Sequence, residues 1–479
     1  MKRGLGLLMH ITSIKEDFGY GCFSKNAYSF VDFLSKANVK YWQILPINPT
    51  DEYGCPYSNS SFYAINPLLI SLENFIDKID IQHLGFEENM SYEEYSKLKN
   101  KALRLIYQNS NKTKRQTIFE NENAWWLEDY SMFMALKNKY KNGISSFPKK
   151  ILENDKTALN KFKQANKKEI AFQKFVQYVA YSQWKELKEY ANKNGVEIIG
   201  DLPFSLSKDS DAYLFQRENF ETEDGALSFV SGVPGDDFNK EGQVWGNPVY
   251  NVKYIKENDY KFLLDRFKHY SKMFDYLRVD HFRGYESFYK VPEGQKAIEG
   301  VWQKSFGFSL FKKLKQEGIN NLILEDLGMI TPEVERLKQK INLPGVKVVQ
   351  FAFDGNYTNR YLPMRYEKNC VAYLGTHDNN TFCGFLNEKE NKKAVREYLH
   401  LCENASDKQL TYSMMESIIS SNADVVIVTP QDLLCQDEKF RMNTPGEVLE
   451  YNWKYVAPKK LFDRKIIEYL LATTSLHNR

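Results

Sequence analysis

Apolar and β-branched residues gather along the chain in eight short runs, each ending in polar or charged positions. They are LGLLMH (5–10), YWQILPI (41–47), VEIIGDLP (196–203), DYLRVDH (275–281), LILEDLG (322–328), VKVVQFAFD (346–354), VAYLGTHD (371–378) and ADVVIVTPQD (423–432). Near-continuous apolar runs of this length are what strands covered on both faces require. Between them the period changes. Ala27, Phe30, Val31, Phe33, Leu34 and Ala37 recur at helical spacing, and FLLDRFKHYSKMF (262–274) repeats the pattern. Thr331-Pro332-Glu333 reads as a helix start, with an N-cap hydroxyl, proline at the first position and an acid in the first turn. Strand and helix alternating eight times predict an α/β chain closed into a (β/α)8 TIM barrel. An open doubly wound sheet is the alternative architecture; a glycine-rich phosphate turn would follow its first strand, and none does.

The spacing is uneven. Runs four to eight follow one another closely, whereas about a hundred Lys-, Asn- and Glu-rich residues separate runs two and three. These contain helical stretches such as NAWWLEDYSMFMALKNKY. We expect one catalytic barrel over 1–479, with an inserted helical subdomain at 75–175 and an inserted loop subdomain at 204–258 over the active site. No separate C-terminal β domain is expected.

Charge and cysteine usage narrow the classes. Lys plus Arg is 65 against 62 Asp plus Glu, a balance that argues against nucleic acid or an anionic membrane surface as partner. With no coiled-coil stripe either, no protein partner is expected. Aromatic residues make up 15% of the chain; a large core accounts for many of them, and some Tyr and Trp are available to line a sugar groove. Cysteines 22, 55, 370, 383, 402 and 435 show no CxxC spacing and no histidine in ligand register. The basic start MKRGLGLLMH has too short an apolar run for a signal segment, and no stretch is long enough to span a membrane. A cytoplasmic protein is expected.

In a barrel of this kind the chemistry sits at the carboxyl ends of the strands. Those ends are dense in acids: Asp201 closes run three, Arg278, Asp280 and His281 run four, Glu325 and Asp326 run five, His377 and Asp378 run seven, Gln431 and Asp432 run eight. Arg278 and Asp280 are two apart, so they face the same way, and a neighbouring guanidinium keeps a carboxyl ionised. Glu325 lies on the next strand. A retaining glycosidase uses one ionised and one protonated carboxyl about 5–5.5 Å apart. Each feature also has a structural reading. A strand-end Asp serves as a loop cap, Arg beside Asp as a structural ion pair, Tyr57 and Trp245 as packing, and His10, His281 and His377 as three metal ligands.

Longer motifs carry a resemblance. FDYLRVDHFRG (274–284), LILEDLGMITPEV (322–334) and YLGTHDNNT (373–381) resemble the three acid segments of the 4-α-glucanotransferases, or amylomaltases, within the α-amylase clan. PLLISLE, GDLP, GQVWGNPVY, PGVKVVQFAFD, PQDLL and RMNTPG match in family order, so the similarity runs from about residue 4 to about 455. The resemblance implies transfer of a 1,4-α-glucan segment to the 4-hydroxyl of an acceptor, through a glucosyl-enzyme, with maltooligosaccharides as substrates and no metal or cofactor. It implies Asp280 as nucleophile, Glu325 as acid and base, and Asp378 as the acid that holds the sugar 2- and 3-hydroxyls. Arg278 would orient and ionise Asp280, His281 and His377 would hold further hydroxyls of the same glucose, Asp201 would be a supporting acid in substrate binding, and Tyr57 would stack on sugar near the cleavage point, with Trp245, Asn247 and Pro248 at the base of a loop (233–245) arching over the groove.

This sequence departs from the family pattern at Gly235, Asp237, Met364, Ser305-Phe306, Cys435 and Tyr455-Val456, none of them among the three acids. An α-glucan hydrolase on the same barrel is the alternative reading. A non-catalytic glycan-binding protein is a further one, which loss of Asp280 or Glu325 would mark; both are present.

Overall fold

A computed structural model of the chain describes residues 1–17, 19–77, 79–80, 82–87, 90–235 and 240–479, with only the backbone of Gln82. Asp237 and the middle of the 233–245 segment therefore lie outside the described residues.

All eight apolar runs form strands: β1 (Gly4–Leu8), β2 (Tyr41–Gln43), β3 (Glu197–Leu202), β4 (Tyr276–Val279), β5 (Leu322–Leu324), β6 (Gly345–Val348), β7 (Cys370–Tyr373) and β8 (Val425–Val428). Each pairs in parallel with its neighbours in sequence, and β8 closes on β1, giving a barrel. Six of the eight are buried at every residue, and the other two, β3 and β4, at all but the first, which is why the sequence reads as continuous apolar runs rather than alternation. The expected helices cover the outside. Lys25–Lys36 begins behind Ser24, whose hydroxyl accepts from the Asn26 N–H. Lys261–Met273 leads into β4. Pro332–Ile341 starts after Thr331, which holds extended N-cap backbone although its hydroxyl caps no N–H.

One close approach fixes the register around the future site. On β3, a Cβ at Gly200 would stand 2.4 Å from the Phe274 ring, so only glycine lets that ring pack at the foot of β4. The resulting register sets Asp201 beside Arg278 and Arg278 beside Ile323. The carboxyl ends of β3, β4 and β5 thus lie side by side.

Between β2 and β3 the chain forms a succession of helices, among them Tyr92–Gln108, Ala124–Tyr140 and the long Lys167–Lys193. Ala124–Tyr140 faces two ways. Trp126, Leu127 and Tyr130 join the barrel's core, whereas Phe133 and Leu136 pack with Phe147, Ile151, Phe162, Ile170 and Leu214 in a small core of their own.

The excursion after β3, expected as loop, holds strands. Phe229–Val233 and Gln243–Pro248 pair with each other, and Phe229–Val233 pairs with Ser287–Pro292, which in turn pairs with Val301–Lys304. This four-stranded antiparallel sheet is closed by Val230, Tyr289 and Val291. Two of its strands come from the β4–β5 connection, so no single stretch of sequence announces it. Among the described residues no helix is long and apolar enough to cross a membrane.

Candidate active site

Backbone bonds carry the ladder beyond the strand ends and set the acids in place. The Asp280 N–H donates to the Leu202 carbonyl, the Glu325 N–H to Val279, and the Phe282 N–H to Glu325, each at 3.1 Å. Asp280 and Glu325 are thereby held on adjacent strand ends. His281 between them adopts φ +48°, a left-handed conformation that costs a non-glycine residue about 1–3 kcal/mol. That turn aims its N–H at Glu325 Oε2, 2.8 Å away, while the Leu327 N–H reaches Oε1 at 3.3 Å.

Arg278 organises the Asp280 side of the site. Its Nη1 lies 2.9 and 2.8 Å from the two carboxylate oxygens of Asp201 and 3.0 Å from Asp280 Oδ1. Burial opposes the guanidinium charge, but Asp201, Tyr57 and Asp280 outweigh it and hold its pKa well above the ordinary range. Asp280 Oδ2 accepts from the Phe204 N–H at 3.3 Å. Asp280 thus accepts from both a guanidinium and a backbone N–H.

Glu325 is different. Enclosure raises its pKa to about 8, the nearby Arg278 charge only partly offsetting this, with the Asp280 charge adding to the rise. Asp378 goes the other way. Desolvation opposes its ionisation, yet His377 Nε2 at 3.2 Å and the Asn443 side-chain N–H at 2.6 Å pull its pKa well below the usual carboxylate range. Arg441 fixes the same turn, donating to the Asp378 carbonyl at 2.6 Å.

Arg278, Asp280, Glu325, Asp378 and Asn443 line one groove of about 1130 Å³, together with Tyr57, Trp245, Asn247 and His281. The Trp245 ring stands edge-on to His281, 5.5 Å between centroids, and burial draws the His281 pKa down, leaving a neutral ring. Three residues expected to bind substrate sit elsewhere. Asp201 is fully buried beneath Arg278, accepting also from the Tyr57 hydroxyl at 2.8 Å; burial raises its pKa to about 6. His377 is buried behind Asp378, stacked on Tyr57 with ring planes 11° apart. Pro248 is buried at the end of its strand, outside the groove lining. Asp201 and His377 thus act on the groove through Arg278, Tyr57 and Asp378.

Two other strand-end acids are structural. Asp326 accepts from the Val346 N–H at 2.7 Å and pairs with Lys338 at 2.5 Å. Asp432 accepts from the Phe382 N–H and the Thr429 hydroxyl. Asn443 and Arg441 were not singled out from the sequence, although RMNTPG (441–446) lay among the matched motifs. His10, His281 and His377 do not converge: His281 packs on Phe204 and Trp245, and among the described residues no group of three or more His, Cys, Asp or Glu is arranged to hold a metal.

Residues 9–460 match the 4-alpha-glucanotransferase family. The chain belongs to that family. It is 38% identical to a 4-alpha-glucanotransferase of Clostridium butyricum across 98% of this chain and all of that one. It is 34% identical to one of Thermus thermophilus, over 95% of each. An amylomaltase from Streptococcus agalactiae, solved in complex with acarbose, is 33% identical and superposes over the whole of both chains with a TM-score of 0.95. This 4-alpha-glucanotransferase family member is accordingly an enzyme of that type, and the residues that the motif resemblance singled out as its three acids meet in a large strand-end groove.

Proposed function

We propose that the groove transfers a segment of a 1,4-α-glucan to the 4-hydroxyl of an acceptor glucose or glucan by a retaining double displacement. The observation that carries this is two carboxyls on adjacent strand ends with different partners: Asp280 accepts from the Arg278 guanidinium and the Phe204 N–H, while enclosure pushes Glu325 up to about 8 and favours its acid form at neutral pH. Asp280 attacks the anomeric carbon as Glu325 gives its proton to the departing glycosidic oxygen. The resulting Glu325 carboxylate then takes the proton of the incoming hydroxyl, which displaces Asp280. Asp378, held as an anion, accepts hydrogen bonds from sugar hydroxyls, and Tyr57 and Trp245 offer ring faces.

The bond formed is of the same kind as the bond broken, so the cycle uses no metal, nucleotide or other cofactor. Maltooligosaccharides and longer α-1,4-glucans are the substrates this predicts. We read residues 1–479 as one catalytic unit, with the helical insertion at 75–175 and the insertion at 204–258 bordering the groove. Six free thiols support a cytoplasmic location. Incubating the pure protein with maltotriose, without added metal, tests the reading. A ladder of longer maltooligosaccharides is expected; glucose and maltose alone would mean that water wins at the glycosyl-enzyme and would make the protein a hydrolase.

A further inference from the structure

A second cavity, about 1020 Å³, lies on the flank of the barrel and shares no lining residue with the catalytic groove. Its floor is made by two barrel helices. Lys167–Lys193 presents Tyr178, Tyr181, Ser182 and Lys185, and Lys261–Met273 presents Lys261, Asp265, Lys268, His269 and Lys272, each set along one helical face. The helices are joined by the Tyr181 hydroxyl to His269 Nε2 (2.8 Å) and by the Trp184 Nε1–H to the Met273 carbonyl (3.2 Å). At 1.5 Å per residue the face from Lys261 to Lys272 runs about 17 Å.

The facing wall is Phe119 and Trp125, from the helical insertion. Phe119 packs on Tyr181 at 5.3 Å. Trp125 is 48% exposed, yet its ring is braced edge-on by Tyr63 at 4.7 Å and His269 at 6.1 Å. A large ring fixed in orientation with half its surface in water is a platform awaiting a partner.

Charge discriminates among partners. Five lysines rim the cavity, which suggests an anion at first sight. Four are already neutralised: Lys185 by Glu189 (3.8 Å), Lys188 by Asp275 (2.8 Å), Lys261 by Asp265 (2.5 Å) and Lys268 by Glu317 (3.0 Å). Burial pulls the His269 pKa down to about 3, so it adds no charge. An elongated aromatic trough with a charge-compensated rim, rich in donors and acceptors, suits a neutral polymer with apolar faces and many hydroxyls.

We propose that this flank cavity is a second binding site for an α-1,4-glucan chain, with Trp125 as its stacking platform. The identity of the ligand rests on the glucan reading above; the site itself rests on Trp125, Phe119 and the two helices. It holds a long chain without cutting it, since Glu189 and Asp265 on its rim are engaged by Lys185 and Lys261, and raises the local concentration of chain ends near the groove.

Calorimetric titration with maltoheptaose tests this, using the full-length Asp280→Asn protein so that the sugar is not consumed. Two sites per chain are expected. In Asp280→Asn/Trp125→Ala the flank site should weaken by at least about tenfold, while Trp125→Ala alone should disproportionate maltotriose at the parent rate. Tyr178→Ala serves as a second probe of the opposite wall if the Trp125 variant fails to fold. One site in the Asp280→Asn protein, two undiminished sites in the variants, or displacement of the second sugar by millimolar inorganic phosphate would overturn the proposal. A maltotriose ladder with a single glucan site would overturn this inference alone; no turnover of maltotriose by the parent enzyme would count against the proposed function instead.

Discussion

On the proposed mechanism, replacing Glu325 by Gln removes the one proton the first step needs while keeping shape. The structure gives the size of the effect. An ordinary glutamate near 4.3 is protonated about once in 500 at pH 7, whereas one raised to about 8 is about nine-tenths protonated. Enclosure in the groove therefore enriches the acid form by a factor of a few hundred, worth about 3–4 kcal/mol at 1.36 kcal/mol per pKa unit. General acid catalysis contributes about 10²–10⁴ in rate. Maltotriose, whose leaving group is a sugar alkoxide, should lose about 10³-fold or more in kcat for Glu325→Gln. α-Glucosyl fluoride leaves without a proton, so its first step should fall less than about tenfold. The assay is the first-turnover burst of fluoride against initial-rate release of glucose from maltotriose, each across pH 5–10. In the parent enzyme the maltotriose rate should fall above about pH 8 as Glu325 loses its proton, and that limb should vanish in the variant. Equal loss on both donors, or a basic limb that survives the substitution, would refute the acid assignment. The sign of the stability effect is fixed too. A carboxyl raised in the folded state favours folding below its unfolded value and loses that contribution as pH climbs through about 8, so Glu325→Gln should gain thermal stability relative to the parent above pH 8.

The other expectations follow from single contacts. Asn443→Ala removes the 2.6 Å bond to Asp378 Oδ1 and should lower kcat for maltotriose about tenfold with an unchanged melting temperature; an unaltered kcat would exclude Asn443 from positioning that acid. Gly200→Ala puts a methyl group 2.4 Å from the Phe274 ring inside a strand that cannot move away, and should cost about 1–3 kcal/mol in denaturant unfolding; a neutral result would contradict the packing described for β3 and β4. Prolonged chelation should leave maltotriose disproportionation intact, because the Asp280 oxygens already accept from Arg278 and Phe204 and Asp378 Oδ1 from Asn443; loss restored by a divalent cation would show otherwise.

How much of this was readable in the chain depended on burial and on locality. The barrel strands were plain because both faces are covered, so apolar residues run on without interruption until the polar strand ends. The acids were plain for the same reason: they stand where those runs stop. Asp326 and Asp432 looked the same in sequence as Asp280 and Asp378, and only their partners, Val346 N–H and Lys338 for one, Phe382 N–H and Thr429 for the other, mark them as structural. The antiparallel sheet was illegible because Gly232 and Gly246 interrupt its strands and its pairing joins residues some sixty apart, such as Ser231 and Lys290. Asn443 and Arg441 belong to irregular chain after β8, where no periodicity points anywhere. The left-handed turn at His281 that aims its N–H at Glu325 leaves no mark on composition at all.

The central claim is that Asp280 forms a covalent bond to glucose. Glu325→Gln protein mixed with α-glucosyl fluoride should load a glucosyl group through the first step and release it slowly, since the base of the second step is gone. Intact-mass spectrometry, followed by peptide mapping, should find one glucosyl adduct on the peptide carrying Asp280, and none in Asp280→Asn/Glu325→Gln. An adduct on another residue, or fluoride release by the doubly substituted protein at the same rate, would contradict the account.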